Sequence, residues 1–356
     1  MRIAIDLTPL YGRKWTGVEL YAIDLYKALK KTHHEIIPIF HVKNEIDNNS
    51  NAYIINQSTR LILENIKIVT AIKRIKPTLT LFPIFPPPIN IYFSCTSKIV
   101  PTIHDLAFIK YRNTLNLAAK YYLTPKALVA LKKSDAIITI SETIKSELQT
   151  YTQKPIYNCG ENISESYQNC TTKCSIDYLK KWNLEPDNYI ISVSTIEPRK
   201  NVKYLLKVIQ SFLKKENLKI VLVGRKGWGK DDELKELINK MQDRIIFTEY
   251  ISQECLFSLY HYAKAFALLS LDEGFGRTPF EAVACGCKKI ILSDIKIFHE
   301  TFENNALFLP LNDVILSQKL LQSKSIPNIN NEFKIPFRDI EEKLPIFLKK
   351  IQEYIF

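Results

Sequence analysis

Short runs of consecutive apolar residues alternate along this chain with longer segments in which apolar residues recur every three or four positions. The short runs are typical of buried strands, and the longer segments are typical of helices that bury one face. Strands that alternate with helices indicate an α/β fold built on parallel sheets. The predicted strands are residues 2–7, 36–41, 99–103, 136–140, 189–193, 219–223, 244–248, 265–269, 289–292 and 305–309.

This periodicity is lost between about residues 161 and 188, where Asn, Ser, Thr and Glu are frequent. A chain of 356 residues is long enough for two domains that each bury a core. The pattern predicts an N-terminal Rossmann-like domain over 1–165, a linker over 166–188 and a C-terminal Rossmann-like domain over 189–333. The remaining residues, 334–356, contain a predicted last helix at 340–355.

Two segments of the first predicted domain combine cations with apolar or aromatic side chains. Residues 61–76 have the pattern of a basic amphipathic helix, and residues 110–133 are rich in Tyr and Lys. Such segments can lie on an anionic membrane surface or receive a lipid-linked acceptor or a nucleic-acid strand. The alternative is ordinary helices with solvated basic faces, the second segment being two helices broken at Pro125. The sequence leaves this choice open.

The sequence predicts neither a membrane span nor a secreted protein. Its most apolar stretch, residues 79–93, is interrupted by prolines, and the part from 81 to 88 is predicted to be a proline-stiffened loop. The chain starts MRIAIDLTPL, which is not a secretory signal, and its seven cysteines are scattered. Reduced thiols in the cytoplasm are therefore expected.

Residues 270–287, SLDEGFGRTPFEAVACGC, contain signals for the start of a short helix. Thr278 suits the N-cap and Pro279 the first helical position, while Glu281 stands where a capping-box carboxylate belongs. Gly286 can end the helix. On this interpretation Glu281 only caps the helix.

The turn ahead of this helix is Gly274-Phe275-Gly276, and Glu273 and Glu281 flank it. A glycine turn that leads into a helix N-terminus presents outward-pointing amides, which bind anions such as phosphate. The turn is therefore a candidate anion site with two carboxylates beside it. The alternative makes Glu273 a solvated loop acid and Glu281 a cap.

The segment EPRKN places Arg199 and Lys200 just before the N-terminus of a predicted helix. Cations at that end oppose the helix dipole, so the placement makes better physical sense if an anion occupies it. The alternative is an exposed basic loop.

The segment TIHDLAF puts His104 and Asp105 at the end of a predicted strand. Polar side chains at the carboxyl ends of parallel strands line the usual ligand crevice of an open α/β sheet. The alternative is a turn at Asp105 with a buried His104.

A further segment, GRKGWGKD, almost spells a phosphate-binding P-loop after a strand. The position that should hold Ser or Thr is Asp231, and a carboxylate there repels phosphate where a hydroxyl would bind magnesium. A real P-loop is therefore disfavoured.

Three segments in this order, TIHDLAF, EPRKN and EGFGRTPFEAVACG, resemble the signature of retaining glycosyltransferases of family 4, among the glycosyl transferases group 1. The resemblance spans nearly the whole chain. It implies the GT-B fold, an α/β architecture in which two Rossmann-like domains face each other across a cleft. It also implies that the last helix returns to the N-terminal, acceptor-binding domain.

The resemblance implies site residues as well. His104 and Glu273 would be catalytic and contact the transferred sugar, and Glu281 would bind the ribose hydroxyls. The donor-binding residues that it implies are Gly17, Arg199, Lys200, Gly274, Phe275, Gly276, Arg277, Thr278 and Glu281. The chain departs from the family at Glu19, where a small or basic residue is more common, and at Arg277, where the family has a hydrophobic one.

The function implied is a metal-independent retaining hexosyltransferase that uses a nucleotide-diphosphate sugar, with GDP-mannose as one candidate. The acceptor would be a polysaccharide or lipid-linked oligosaccharide at the cytoplasmic membrane face, and peripheral membrane contact is a further expectation. The nucleotide sugar would be a co-substrate, with no cofactor and no metal. The net charge of +12 also fits a nucleic-acid-binding protein, although no helix-turn-helix or zinc-knuckle signature is present. A P-loop-like nucleotide hydrolase is the other alternative.

Overall fold

The computed structural model describes residues 1–12, 15–42, 51–56, 58–111, 119–195, 197–224 and 231–355. The chain divides into two compact units, Met1–Asn162 with Arg338–Phe356, and Ile163–Phe337. Each unit is an α/β structure built on one parallel sheet. Within the described ranges, no helix combines the length and the apolar character needed to cross a membrane.

The first sheet has the order β3-β2-β1-β4-β5-β6-β7, and the second has the order β10-β9-β8-β11-β12-β13. In the first sheet the order reverses between β1 and β4, and in the second between β8 and β11. The strands are β1 Arg2–Asp6, β2 Glu35–His41, β3 Tyr53–Ile55, β4 Leu79–Phe82, β5 Lys98–Ile103, β6 Ile137–Thr139, β7 Ile156–Asn158, β8 Tyr189–Val193, β9 Lys219–Val223, β10 Ile245–Glu249, β11 Ala265–Leu268, β12 Ile290–Ser293 and β13 Leu307–Leu309.

The helices connect these strands, and the last one belongs to the first unit. They are α1 Gly17–Lys30, α2 Arg60–Ile62, α3 Ile68–Ile75, α4 Ile91–Ser94, α5 Ala107–Lys110, α6 Thr124–Lys133, α7 Glu142–Leu148, α8 Asp177–Lys180, α9 Val202–Lys215, α10 Asp232–Lys240, α11 Gln253–His261, α12 Arg277–Ala284, α13 Lys296–Phe302, α14 Val314–Ser323 and α15 Asp339–Ile355. Among the described residues, π-helical segments at Leu63–Lys67 and Ala119–Leu123 run into α3 and α6, and 3₁₀ turns occur at Thr8–Leu10, Glu165–Tyr167, Cys170–Lys173 and Pro198–Lys200.

Both units bury apolar side chains on the two faces of their sheets, which explains why the strands read as continuous apolar runs. In the second unit α9 supplies the face predicted from its spacing, with Val202, Leu205, Leu206, Ile209 and Leu213 all buried. The predicted α/β GT-B architecture is confirmed at the level of two parallel Rossmann-like sheets.

The structure differs from the sequence prediction in several places, and strands β3 and β7 were not predicted. Residues 79–82 form β4 at the centre of the first sheet, so the predicted proline loop begins later than expected. Pro125 does not break a helix, because it stands in the first turn of α6, where its missing N–H is tolerated. Residues 166–188, the predicted linker, lie inside the second unit, where short helical segments including Cys170–Lys173 and α8 pack against α11.

Candidate functional site

The loops that follow β8 and β11 meet because these strands are neighbours in the second sheet. The backbone N–H of Leu271 donates to the carbonyl of Arg199 at 2.8 Å, which joins the two loops directly. The sheet order reverses between these two strands, and such a reversal is the usual ligand position of an open α/β sheet. The segments EPRKN and EGFG therefore share one site.

Glu273 is the buried centre of this site. Its Oε1 accepts hydrogen bonds from Lys200 Nζ at 2.6 Å and from the Ser270 hydroxyl at 2.7 Å. Arg199 Nη1 lies 3.6 Å from its other oxygen and donates to the carbonyl of Asp272 at 3.1 Å. Glu273 is only 6% exposed, so the alternative interpretation, in which it is a solvated loop acid, is wrong.

The electrostatics keep this carboxylate ionised. Burial alone would raise the pKa of the Glu273 carboxyl, but the charges of Lys200 and Arg199 outweigh it and hold that pKa below its ordinary value. Arg199 is shared with Glu197, whose carboxylate lies 3.3 Å from Nη2. A buried anion held by two cations can accept hydrogen bonds from ligand hydroxyls without losing its charge.

The glycine turn after Glu273 sets where α12 begins. Gly276 has φ +84°, and a Cβ added there would lie 2.5 Å from the Phe298 ring. The turn therefore needs glycine, and Gly276, not Thr278, is the N-cap of α12. Thr278 is the second residue of the helix, so its predicted N-cap role is wrong. The predicted helix end is confirmed, because Gly286 has φ +93° and the hydrogen bonds of a Schellman motif close α12.

Phe275, predicted to bind the donor, is buried in an aromatic cluster. Its ring stacks on Phe280, with ring centres 5.3 Å apart, and Phe280 in turn contacts Phe302 and Phe333. The side chain therefore packs behind the turn and fixes the backbone of Gly274 and Gly276. Only the backbone of Phe275 is placed to serve a ligand on the other side of that turn.

Glu281 lies in the second turn of α12, too far along the helix to cap it. Its Oε2 instead accepts hydrogen bonds from the hydroxyls of Tyr167 at 3.2 Å and Tyr260 at 3.5 Å. The capping-box interpretation of Glu281 is therefore wrong. Burial raises the pKa of the Glu281 carboxyl, and the Arg277 charge and the two tyrosine hydrogen bonds oppose that rise only in part.

Three cations stand at the N-termini of two helices. Arg199 and Lys200 form the 3₁₀ turn that leads into α9, and Arg277 is the first residue of α12. Each opposes the dipole of the helix that follows it, which is unfavourable unless an anion is nearby. Glu273 and Glu197 supply such anions for Arg199 and Lys200, so with Glu281 the site contains three cations and three carboxyl groups.

The remaining predicted site residues, Gly17 and His104, belong to the first unit. Gly17 is the first residue of α1. His104 follows β5, its Nε2 lies 2.9 Å from the carbonyl oxygen of Pro83, and its ring packs edge-on against Tyr21. A pocket of about 170 Å³ is lined by His104 together with Val18, the residue after Gly17. The segment that contains Gly17 and the residue His104 therefore meet at one pocket within the first unit.

A larger pocket of about 370 Å³ opens at the strand-order reversal of the first sheet. Asp6 and His41, from the ends of β1 and β2, line it together with Arg60 and Glu64. Asp6 Oδ1 accepts hydrogen bonds from the backbone N–H and the hydroxyl of Thr8, at 3.1 Å and 2.7 Å. Burial raises the pKa of Asp6 to about 6 in spite of these bonds. Nothing in the sequence prediction pointed to this pocket.

The P-loop-like segment is described only in part, since residues 225–230 lie outside the described ranges. Asp231 is described, and it is the N-cap of α10, accepting from the backbone N–H of Leu234 at 3.0 Å and pairing with Lys203 at 3.0 Å. The carboxylate therefore has a structural role. Across the described ranges, no group of three or more His, Cys, Asp or Glu side chains is arranged to hold a metal ion.

Sequence reasoning missed three residues that hold the glutamates. Ser270 lies two residues after the end of β11, and the rule about polar residues after strand ends could have found it. Tyr260 belongs to the apolar face of α11, and Tyr167 lies in the polar stretch predicted to be a linker. Since a tyrosine on an apolar face is usually core, no local signal marked these hydroxyls as partners of Glu281.

Comparisons with known proteins show what this chain is similar to. Residues 176–324 match the family Glycosyl transferases group 1. The O-antigen chain mannosyltransferase RfbU of Salmonella typhimurium is 28% identical over 255 residues, which are 71% of this chain and 64% of that protein. The O-antigen chain mannosyltransferase B of Escherichia coli is 27% identical over 234 residues, 64% of this chain and 61% of that protein. The chain thus spans less than two thirds of either relative.

Among solved structures, the sucrose-phosphate synthase of Thermosynechococcus elongatus superposes with a TM-score of 0.65, covering 99% of this chain and 98% of that one at 19% identity. This likeness shows the fold. The residues that match the family run from α8 to α14 and include Lys200, Glu273 and Glu281. Residues 176–324 are thus similar to the glycosyl transferases group 1, and the fold of the chain is the GT-B fold.

Proposed function

We propose that this chain is a retaining hexosyltransferase that transfers mannose from GDP-mannose to a polysaccharide or lipid-linked oligosaccharide. The observation that carries the proposal is the Glu273 carboxylate held between Lys200 and Arg199 at the strand-order reversal of the second sheet. The choice of sugar is supported by the two relatives, both named as mannosyltransferases of the O-antigen chain.

The diphosphate of the donor would bind at the two helix N-termini. Lys200, Arg199 and Arg277 supply positive charge there, and the backbone amides of the glycine turn supply hydrogen-bond donors. As the sugar–phosphate bond breaks, these groups stabilise the charge that develops on the leaving diphosphate. We propose that they do so without a divalent cation or other cofactor.

The two glutamates would hold different parts of the donor. Glu281, steadied by Tyr167 and Tyr260, would accept hydrogen bonds from the ribose hydroxyls. Glu273 would accept them from hydroxyls of the sugar, and its low pKa keeps it an acceptor at neutral pH. His104 would position the transferred sugar.

For the acceptor we propose the pocket of the first unit at Asp6. Carboxylates, a histidine and an arginine around a 370 Å³ space provide the hydrogen-bonding groups that a sugar needs. Asp6→Asn should raise the KM for a glycan acceptor and leave the Kd of GDP unchanged. An unchanged acceptor KM would place the acceptor elsewhere.

The test of the donor site is calorimetric titration of GDP into wild type and two lysine variants. Lys200→Ala should weaken GDP binding about tenfold or more, because it removes a charge-assisted contact worth roughly 1.5–3 kcal/mol. Lys207→Ala, which removes an equal charge two turns along α9, is the matched control and should bind GDP as wild type does. Equal losses in both variants would show a general charge effect and contradict the site.

Three further measurements test the rest of the proposal. Transfer from GDP-mannose should persist in excess EDTA, and a strict requirement for magnesium or manganese would contradict metal independence. The anomeric configuration of the product, read by NMR, should match that of the donor. Tighter binding of UDP than of GDP would overturn the choice of donor and leave the diphosphate site intact.

A further inference from the structure

The second unit has a further pocket, at the edge of its sheet opposite to the proposed donor site. The donor site lies after the carboxyl ends of β8 and β11, whereas this pocket lies beside the residues that precede β8, β11 and β12. We call it the strand-start pocket. Its volume is about 470 Å³, and its polar lining consists of Asp187, His261, Lys264, Lys288, Lys289 and Asn328.

Backbone hydrogen bonds hold the walls of this pocket in place. The N–H of Asp187, just before β8, donates to the carbonyl of Tyr262 at 2.9 Å. On the other side, Asn328 pairs with Lys289 in an antiparallel bridge, which brings the segment after α14 against the start of β12. The cavity is therefore bounded by backbone that the fold fixes.

Positive charge predominates in the strand-start pocket. Lys264, Lys288 and Lys289 line it together with one carboxylate, that of Asp187. Lys264 Nζ also lies 3.6 Å from an oxygen of Glu216, whereas Lys288 and Lys289 form no ion pair within the described part of the chain. Two cations without a counter-ion favour an anionic ligand.

His261 supplies a further hydrogen-bonding group. Its Nδ1 lies 2.8 Å from the carbonyl oxygen of Cys285, and because a carbonyl can only accept, Nδ1 carries the proton of this bond. The same bond leaves Nε2 to a ligand. Gly286 makes room for the ring, since a Cβ added there would lie 3.1 Å from Nδ1. The glycine that ends α12 thus keeps an imidazole in the pocket wall.

The dipole of α12 is another possible reason for cations at this edge. Lys288 and Lys289 follow the C-terminus of that helix, where positive charge is favourable. The backbone N–H groups of Gly286 and Cys287, however, already donate to carbonyls in the last turn, at 2.9 Å and 3.0 Å. The two lysine side chains are therefore not needed to satisfy the helix end.

The lining favours a small polar anion. Apart from Ala263 and Gly286, every residue that lines the pocket is polar, so a lipid chain or an aromatic base would find no apolar wall. A space of about 470 Å³ is larger than a phosphate group alone needs. Asp187 and Asn328 offer a carboxylate and an amide, which suit the hydroxyls of a ligand that extends beyond its phosphate.

We propose that the strand-start pocket binds a phosphorylated sugar. Lys288 and Lys289 contact the phosphate, which lysine binds as a point charge. Asp187 and Asn328 contact hydroxyls of the sugar. The inference rests on this pocket alone and stands even if the donor of the proposed function is wrong.

The experiment is calorimetric titration of mannose 6-phosphate into the whole chain in the presence of saturating GDP, which fills the proposed donor site. Wild type should bind the sugar phosphate. Lys288→Gln/Lys289→Gln should weaken that binding at least about tenfold, because charge-assisted contacts are lost. The same variant should unfold in urea as wild type does, which shows that it is folded. Absence of binding to wild type would overturn the proposal.

The second unit offers a matched control for this variant. Lys214 and Lys215 are also adjacent and exposed, and they end α9, but they lie outside the residues that line the pocket. Lys214→Gln/Lys215→Gln should bind mannose 6-phosphate as wild type does. Equal losses in the two double variants would show a general charge effect and contradict the site.

A second probe, inorganic phosphate, separates recognition of the sugar from recognition of the anion. Wild type should bind it at least about fivefold more weakly than mannose 6-phosphate, because contacts to hydroxyls are missing. Asp187→Asn should tighten inorganic phosphate about threefold, since the one acid of the pocket is removed. Asp187 has φ +60°, which Asn adopts readily, so the variant should fold. Equal affinity of wild type for both probes would mean a phosphate site without sugar recognition and would refute the proposed ligand.

Discussion

The chain contains two segments with the pattern Thr-x-x-Glu at the start of a helix, and they use their glutamates differently. In TGVE, Glu19 accepts a hydrogen bond from the backbone N–H of Thr16 at 2.9 Å, the bond by which the glutamate of a capping box reaches back to the N-cap. The Glu19 carboxylate also accepts from the Thr16 hydroxyl. In TPFE, the Glu281 carboxylate points instead to Tyr167 and Tyr260. The same four-residue pattern therefore caps a helix at one site and does not cap one at the other.

The difference lies in where each helix begins. Thr16 is the N-cap of α1, so Glu19 is the third helical residue and can reach back. Gly276 is the N-cap of α12, so Thr278 already lies inside the helix and Glu281 is its fifth residue. The backbone of Gly276, with φ +84°, therefore fixes the start of α12 at a position from which Glu281 cannot cap the helix. Glu19, at a position where the family more often has a small or basic residue, caps the start of α1.

The largest effect expected is at Glu273, the carboxylate that precedes the second segment. Glu273→Gln should lower transfer from the intact donor roughly a hundredfold, because a charged acceptor aimed at the reacting sugar is lost. The Kd of bare GDP should not increase, since Lys200 and Arg199 remain. Steady-state kinetics with GDP-mannose and GDP titration measure the two quantities. Normal transfer by the folded variant would remove Glu273 from the site.

The next effect tests Glu281 itself. Glu281→Gln should weaken the binding of bare GDP and of the intact donor alike, by about tenfold, because a neutral amide is a poorer acceptor for ribose hydroxyls. Its free energy of unfolding should change by less than about 1 kcal/mol, since Gln can still accept from the tyrosines. A clear loss of stability with unchanged GDP affinity would restore a purely structural role.

Glu19 should behave in the opposite way. Glu19→Ala should lower the free energy of unfolding by about 1 kcal/mol, the usual cost of losing a capping interaction, and leave the Kd of GDP unchanged. Glu19→Gln is the control and should keep most of the stability, because Gln also serves in a capping box. Urea denaturation measures both variants. Weaker GDP binding by Glu19→Ala would break the distinction between the two segments.

The two segments also show what sequence could predict. Strands β8, β9 and β11 came from apolar runs, and Gly286 ended α12 as expected, because buried parallel strands and left-handed glycine positions have local signatures. The place of Glu281 within α12 could not be predicted from the sequence, because Thr278 and Gly276 both suit an N-cap. The choice between them depends on packing against Phe298. Tyr167 could not be predicted either, since it meets Glu281 across 114 positions of the chain.

The smallest effect is a difference in the sign of pH dependence between the two glutamates of the site. The pKa of Glu273 is lowered by folding, so its stabilising contribution is complete above the ordinary glutamate pKa of about 4.3 and is lost as pH falls through its folded value. The pKa of Glu281 is raised by folding, so the folded chain keeps the Glu281 proton to a higher pH than the unfolded chain does. The stability of the folded state therefore declines as the pH rises from the unfolded pKa of Glu281 to its folded pKa. Relative to wild type, Glu281→Gln should therefore gain stability as the pH rises from below 4.3 toward neutrality, whereas Glu273→Gln should lose it. Urea denaturation of both variants at a series of pH values measures the two slopes. If the stability of both variants relative to wild type changed with pH in the same direction, the two carboxylates would not lie in electrostatically different environments. The separate roles of Glu273, between cations, and of Glu281, beside tyrosines, depend on that difference.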